Sequence, residues 1–281
     1  MKIFKSHATH YIKSTKNFSF SKESYSKFKF GDSKIGENFG RDLFESFWKK
    51  YDKSLNNYKK ILVFSSPYHF IPTATMSMVD SFKKLFQQKN IDYKVELRKI
   101  NRTTTYSVDY GKLSAKERLN LISNDIFKIN ENICGDELLI FIDDIKITGS
   151  HEFVIKKMID EYKIKNDCFF LYHAILENKK INPEFENYLN YGYVKNLSDL
   201  NTIINSNHFK INTRTVKFIL NSTNEEFKNF INEKHYDFVK KLYINAKNNN
   251  YDKISDYKKN FFKLENLTLK NIIVWYLYSI I

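Results

Sequence analysis

The sequence predicts an α/β protein: a mainly parallel sheet flanked by helices, followed by a mostly helical carboxyl-terminal region. Three observations predict it. Apolar runs at Ile61–Phe64, Leu138–Ile142 and Cys168–Ile175 fit strands buried inside a sheet. Segments with helical spacing lie between the strands, so the chain must cross over and the strands run mainly parallel. From about residue 178, Asn, Lys and aromatics dominate and helical spacing continues without further strand signals.

The elements follow in order. Residues 1–37 read as short strands and turns, with Gly31 and Gly36 as breaks; the alternation Phe28-Lys29-Phe30 suits a strand with one buried face. Phe39, Leu43, Phe44, Phe47, Trp48 and Tyr51 make one apolar helical face. The strand Ile61–Phe64 breaks at Ser65-Ser66-Pro67-Tyr68, and a helix runs from about Thr75 to Gln88. Asp92–Ile100 is a second strand. Asn101–Leu113 has no period. Ser114 and Glu117 stand at capping-box spacing and open another helix. Then come the strand Leu138–Ile142, a turn at Thr148-Gly149-Ser150, a helix to about Tyr162, and the strand from Cys168. Glu225–Asn232 and Tyr236–Ala246 read as amphipathic helices. The chain divides into 1–57, strands and a helix packing on the core; 58–176, the α/β core; and 177–281, the helical region.

Composition narrows the function classes. With 281 residues and 42% apolar content, the chain can bury a large core. The net charge of +14 admits nucleic acid, an anionic membrane or phosphorylated ligands as partners. The lysines are scattered, without a long basic run, which disfavours nucleic acid. Abundant Lys, Asn, Ile, Phe and Tyr together also suit an AT-rich genome. Cys134 and Cys168 give neither a zinc nor a disulfide pattern. Met1–His7 lacks the apolar stretch of a secretory leader. The tail Ile272–Ile281 has about half of the ~20 apolar residues a membrane span needs, and suits a helix end or a contact with a second subunit. A cytoplasmic protein is expected, with no transmembrane segment. HExxH, GxSxG, Walker and GxGxxG patterns are missing from the sequence.

The residues richest in chemistry are Asp143-Asp144-Ile145-Lys146-Ile147-Thr148-Gly149-Ser150. Unpaired N–H groups of a turn and a first helical turn can face a phosphate. Gly149 lets the backbone approach, and the Thr148 and Ser150 hydroxyls add donors. Two carboxylates where the strand leaves the core can accept bonds from ribose hydroxyls or hold a water-bound Mg²⁺. The same residues also suit an ordinary strand exit.

This stretch resembles the phosphoribosyl diphosphate (PRPP) loop of type I phosphoribosyltransferases: hydrophobics, two acids, three further residues, then Thr-Gly and a hydroxyl. Leu97–Ile100, Leu113–Asn120, Ile126-Phe127 and Gly135 are similar in order and spacing to the ComF-like branch. Tyr25–Asp32 is similar to phosphoribosyltransferases of stress and tellurium-resistance operons. The resemblance implies that Asp143 and Asp144 contact the ribose hydroxyls and serve catalysis and Mg²⁺, and that Thr148, Gly149, Ser150 and His151 wrap the 5′-phosphate. It places the backbone N–H groups of Ser65 and Ser66 at the pyrophosphate, through a strained peptide. Arg98, Lys99 and Arg102 join them there, with Asn101–Leu113 as a lid. Arg118 matches the ComF-like pattern. From the residues alone, His69 could meet the acceptor, and His173, inside a strand, reads as a satisfied structural residue. Two departures stand out: Ile147 replaces an acid thought to serve the leaving base, and His151 replaces a hydroxyl. The implied function is transfer of phosphoribosyl from PRPP to a base or nucleoside-like acceptor with release of pyrophosphate. The alternative is a non-catalytic PRPP- or nucleotide-sensing module in a stress-response or DNA-uptake system. Single-strand nucleic-acid binding comes third, and a homodimer is compatible with either of the first two.

Overall fold

The computed structural model describes residues 2–89, 92–103, 113–114, 116–117, 126–129, 133 and 135–278, with side chains to Leu269. Five parallel strands form one sheet in the order β1-β7-β6-β2-β3: β1 (Phe4–Ile12), β2 (Lys60–Phe64), β3 (Lys94–Arg98), β6 (Glu137–Lys146) and β7 (Cys168–Leu176). Two short strands, β4 (Asn101–Arg102) and β5 (Phe127–Lys128), pair antiparallel beside it. Helices α1 (Lys22–Lys29), α2 (Ser33–Leu55), α3 (Met76–Lys89) and α4 (Ser150–Glu161) belong to the sheet half. The helices α5 (Phe185–Asn190), α6 (Leu197–Ile204), α7 (Thr213–Leu220), α8 (Asn224–Asn232), α9 (Tyr236–Asn248) and α10 (Ser255–Tyr278) follow. The α/β architecture and the helical carboxyl-terminal region therefore stand as read from the sequence.

The sheet buries both faces. On one, Leu43, Phe44 and Phe47 of α2 and Phe82 and Phe86 of α3 pack on Ile61, Val63, Leu138, Ile140 and Phe169. On the other, Val154, Ile155, Met158 and Ile159 of α4 cover Leu62, Phe64, Leu139, Phe141 and Phe170. The Phe64, Phe141 and Phe170 rings stack across three adjacent strands, with centroids 4.8 and 5.1 Å apart. Burial of both faces explains the unbroken apolar runs of β2, β6 and β7. A third core joins the carboxyl-terminal helices and includes Phe30 and Ile71, so the helical region is anchored on the sheet half.

The N-terminal segment differs from the expectation. One nine-residue strand, β1, runs parallel to β7 from Phe4↔Cys168 to Ile12↔Leu176. As an edge strand it needs less apolar sequence, and FKSHATHYI shows no clear alternation. Phe28-Lys29-Phe30 closes helix α1 rather than forming a strand; Ser21 caps that helix by accepting from Ser24 N at 3.1 Å. Gly36 does not break the chain either. It lies within α2, where a Cβ would stand 1.9 Å from Ser77 Oγ, and at Gly40 a Cβ would stand 2.2 Å from the Met78 carbonyl oxygen. These two glycines let α3 approach α2 closely.

Strand β6 also runs further than expected. It continues through both acids to Lys146, because β7 keeps pairing (Asp143↔Tyr172, Lys146↔Ile175) after β2 has ended at Phe64. The reciprocal Ser114–Glu117 bonds of the capping box are present, at 2.6 to 3.4 Å. Arg118, Cys134, the centre of the expected lid and most of the helix opened by Ser114 lie outside the described residues. The tail is helical to Tyr278, and no described helix is long and apolar enough to cross a membrane.

Candidate functional site

The carboxyl end of β6 builds a cleft of about 160 Å³, lined along one wall by Asp143 through Glu152. Such an end, where neighbouring strands diverge, is where open parallel sheets bind ligands. Because Asp143 and Asp144 stand on a strand, their side chains leave toward opposite faces of the sheet. Each finds different partners.

Asp143 accepts from Ser66 Oγ at 2.6 Å and from the Asp144 N–H at 2.9 Å, and His151 Nδ1 lies 3.4 Å from its other oxygen. Ser66 is itself 2.9 Å from Thr75 Oγ1. Burial pushes the Asp143 carboxyl above the usual carboxylate range, with His151 and Ser66 opposing. Asp144 meets Lys29 Nζ at 2.5 Å and accepts from the Tyr25 hydroxyl, both from α1. Burial would raise this carboxyl, but the Lys29 ammonium and the Tyr25 hydroxyl hold it well below its ordinary value. Burial and the Asp144 charge in turn push the Tyr25 phenol up.

The turn has the form the sequence suggested. Gly149 takes φ +82°, a left-handed conformation that favours glycine, and stands at the N-cap of α4 with no side-chain cap bond. The Thr148 and Ser150 hydroxyls are 2.7 Å apart. Ile147 turns into the sheet core, 5% exposed, so the position where an acid was expected holds an anchoring side chain. Glu152, in the first turn of α4, is buried and accepts from Lys146 at 2.5 Å, Lys156 at 2.5 Å and Tyr172 at 2.8 Å. Its burial works against ionisation, but those three donors keep the carboxyl below its ordinary value.

The other sequence candidates lie apart from this cleft. Ser65 and Ser66 are buried just beyond β2, and Ser66 reaches the site through Asp143. Neither has a positive φ. Arg98 pairs with Glu96. Lys99 donates to the His69 carbonyl at 2.5 Å and lies over the Tyr68 ring at 4.5 Å. Arg102 pairs with Phe127 across the β4–β5 ribbon. None of these three basic residues lines the cleft. His69 contacts Asn250 at 3.2 Å. His173 is structural but not satisfied: it is 1% exposed, stacks on Phe39 at 3.8 Å, and neither ring nitrogen has a hydrogen-bond partner.

Sequence reasoning left out four other residues that line the cleft: Tyr172, Lys29, Glu186 of α5 and Arg214 of α7. The Tyr25–Asp32 similarity was a usable signal for Tyr25 and Lys29; nothing in the sequence marked Glu186 or Arg214. Arg214 is placed by a local fastening. Asn212, the N-cap of α7, donates to the Lys29 carbonyl at 3.1 Å, and Thr215 Oγ1 donates to the Phe30 carbonyl at 3.1 Å. The start of α7 is thereby tied to the end of α1, and the Arg214 guanidinium lies 5.9 and 5.7 Å from the Phe30 and Tyr191 rings.

No group of three or more His, Cys, Asp or Glu suited to a metal ion occurs among the described residues. Within the acidic pair, Asp144 already holds an ammonium and a phenol, and Asp143 already holds a hydroxyl and an amide. The residues fit a Mg²⁺ carried in on ligand phosphates better than one bound by the protein alone.

A sequence model described as PRTase ComF-like matches residues 3–264. No match to a curated protein was found. Solved structures with partial similarity include an adenine phosphoribosyltransferase (13% identity, 50% of this chain and 72% of the other, TM-score 0.31). Another is a hypoxanthine phosphoribosyltransferase from Staphylococcus aureus (11% identity, 50% and 74%, TM-score 0.32). A third is a mutant hypoxanthine phosphoribosyltransferase from Trypanosoma cruzi complexed with the product IMP (10% identity, 53% and 77%, TM-score 0.31).

Proposed function

The chain belongs to the PRTase ComF-like family, and from that premise we propose that it binds PRPP at the end of β6 and transfers the phosphoribosyl group to a base or nucleoside-like acceptor. One observation carries the reading: the left-handed Gly149 turn, with two hydroxyls and an uncapped helix start, opens into the same cleft as Asp143 and Asp144. Thr148, Gly149, Ser150 and His151 receive the 5′-phosphate. Asp143 addresses the ribose hydroxyls. Asp144, already neutralised by Lys29, orients α1 against the site. Asp143 is the carboxylate of this chain that would hold a Mg²⁺, which would supply charge screening to the leaving group.

A second reading has its own support. Ile147 is buried where an acid would serve the leaving base, and Asp144 is engaged by Lys29 and Tyr25. Both features favour a module that holds PRPP or a nucleotide without chemistry. One experiment separates the two. The protein is incubated with PRPP, Mg²⁺ and a pool of bases and nucleosides, and pyrophosphate is measured beside calorimetric binding. Release that Asp143→Asn abolishes, in a variant whose circular dichroism is unchanged, supports the transferase. Binding without release for any acceptor supports the sensor, and the failure of PRPP to bind rejects both.

A further inference from the structure

Glu152 stands at the third position of α4 after its N-cap Gly149. A glutamate there ordinarily reaches back and accepts from the N–H at the helix start. In that pose it would occupy donors that a phosphate needs. Here the carboxylate points elsewhere. Its Oε2 accepts from Lys146 Nζ at 2.5 Å and from the Tyr172 hydroxyl at 2.8 Å, and its Oε1 accepts from Lys156 Nζ at 2.5 Å. The residue is buried. We propose that Glu152 is a positioning residue for the phosphate turn: it braces the turn from behind and leaves the helix start to the 5′-phosphate. This rests on the turn being a phosphate loop.

Each partner of Glu152 fixes a different part of the turn. Lys146 precedes the turn and Glu152 follows it, so their ion pair closes the loop across its base. The Lys146 stem also lies against the turn: a Cβ at Gly149 would stand 3.3 Å from Lys146 Cε. Tyr172 stands on β7 opposite Asp143, so its bond to Glu152 ties the helix start to the strand register that sets the acidic pair. Lys156, one helical turn further on, draws the other oxygen along the helix and away from its start. Two ammonium groups around one carboxylate leave the brace with a net positive charge, so a buried acid beside the turn does not repel a phosphate. Charge and geometry therefore predict opposite outcomes for Glu152→Gln. Removing a negative charge beside the turn should by itself tighten phosphate binding. Losing the brace should weaken it.

The test titrates ribose 5-phosphate into the full chain by calorimetry and follows backbone amides by NMR. Glu152→Gln is expected to lower affinity ~10-fold, and Tyr172→Phe, which changes no charge, about threefold. Glu161→Gln, an exposed acid at the far end of α4, should stay within about twofold. The shifts that saturating ligand induces in the Gly149 and His151 amides should shrink in Glu152→Gln while its circular dichroism is unchanged. If Glu152→Gln binds as tightly as wild type, or more tightly, the brace is refuted and the phosphate turn stands. Weaker binding with those amide shifts intact makes Glu152 part of the frame alone and refutes the brace as well. If Glu152→Gln does not fold, Tyr172→Phe decides by the same two readouts. If wild-type protein does not bind ribose 5-phosphate, the phosphate turn itself falls and the brace with it.

Discussion

Replacing Lys29 by Met tests the electrostatics on which the cleft is built. The side chains of Lys29 and Asp144 are 14% and 7% exposed, and their charges meet at 2.5 Å. At that depth a lone carboxylate is costly, and breaking a buried pair by removing one partner costs about 3–5 kcal/mol. For a chain of this size that corresponds to a fall of roughly 5–15 °C in Tm. The Tyr25 hydroxyl still donates to Asp144 in the variant, which places the expected loss at the lower end, about 3 kcal/mol. Asp144→Asn keeps an acceptor for Tyr25 but strands the ammonium, with a similar cost. The double variant Lys29→Met/Asp144→Asn should cost far less than the sum of the two. The pH dependence has a definite sign. The Asp144 carboxyl is held low in the folded state, so its stabilisation is complete above its unfolded value of about 4. It is lost as pH falls from there through the folded value. The gap between wild type and Lys29→Met should therefore be flat from pH 7 to about 5 and close below about 4. Urea denaturation followed by tryptophan fluorescence at several pH values measures this. A loss under about 1 kcal/mol at pH 7, with no coupling in the double variant, is what an exposed pair gives and would refute the reasoning.

Three further predictions concern the frame. Gly40→Ala forces a Cβ to within 2.2 Å of the Met78 carbonyl oxygen; since backbone must move, a loss of about 2–4 kcal/mol is expected by thermal melting, against under about 1 for Ala substitution at an exposed α2 position such as Lys49. Burial lowers His173 to about 3 and His7 to about 4, so both fold neutral. Their contribution is whole above about pH 6.5 and is lost as pH falls toward those values; His173→Phe should flatten the decline in Tm between pH 7 and 5, and an unchanged slope would count against it. Burial pushes the Cys168 thiol up to about 12, so a thiol reagent at pH 8 should modify it only after denaturation, as mass spectrometry can show.

The parts legible in sequence are those where one physical demand dominates. Strands β2, β6 and β7 are covered on both faces over Ile61–Phe64, Leu138–Ile142 and Cys168–Tyr172, so those stretches had to be apolar and the runs were plain. The turn at Gly149 was legible because its left-handed backbone leaves few residues to choose from. Strand β1 was not, because an edge strand pairs on one side only and FKSHATHYI carries His7 and His10 against aromatic rings rather than a regular apolar face. Helix α1 was misread since Phe28 and Phe30 face different cores, one under the sheet and one in the helical region, which mimics the period of a strand.

The far wall of the cleft was hidden for a different reason. Lys29, Glu186 and Arg214 come from three helices distant in sequence, and each alone looks like a solvated charge among the 46 Lys and Arg and 32 Asp and Glu of the chain. The bonds from Asn212 and Thr215 to the end of α1, and the Phe30 and Tyr191 rings beside the guanidinium, tell Arg214 apart from them. Long-range placement of this kind leaves no periodic trace. A net charge of +14 therefore says little about where anions bind. What matters is which cations the fold holds against a cleft, and here Lys29, Lys146 and Arg214 line it while Arg98 and Lys99 are tied to Glu96 and the His69 carbonyl away from it.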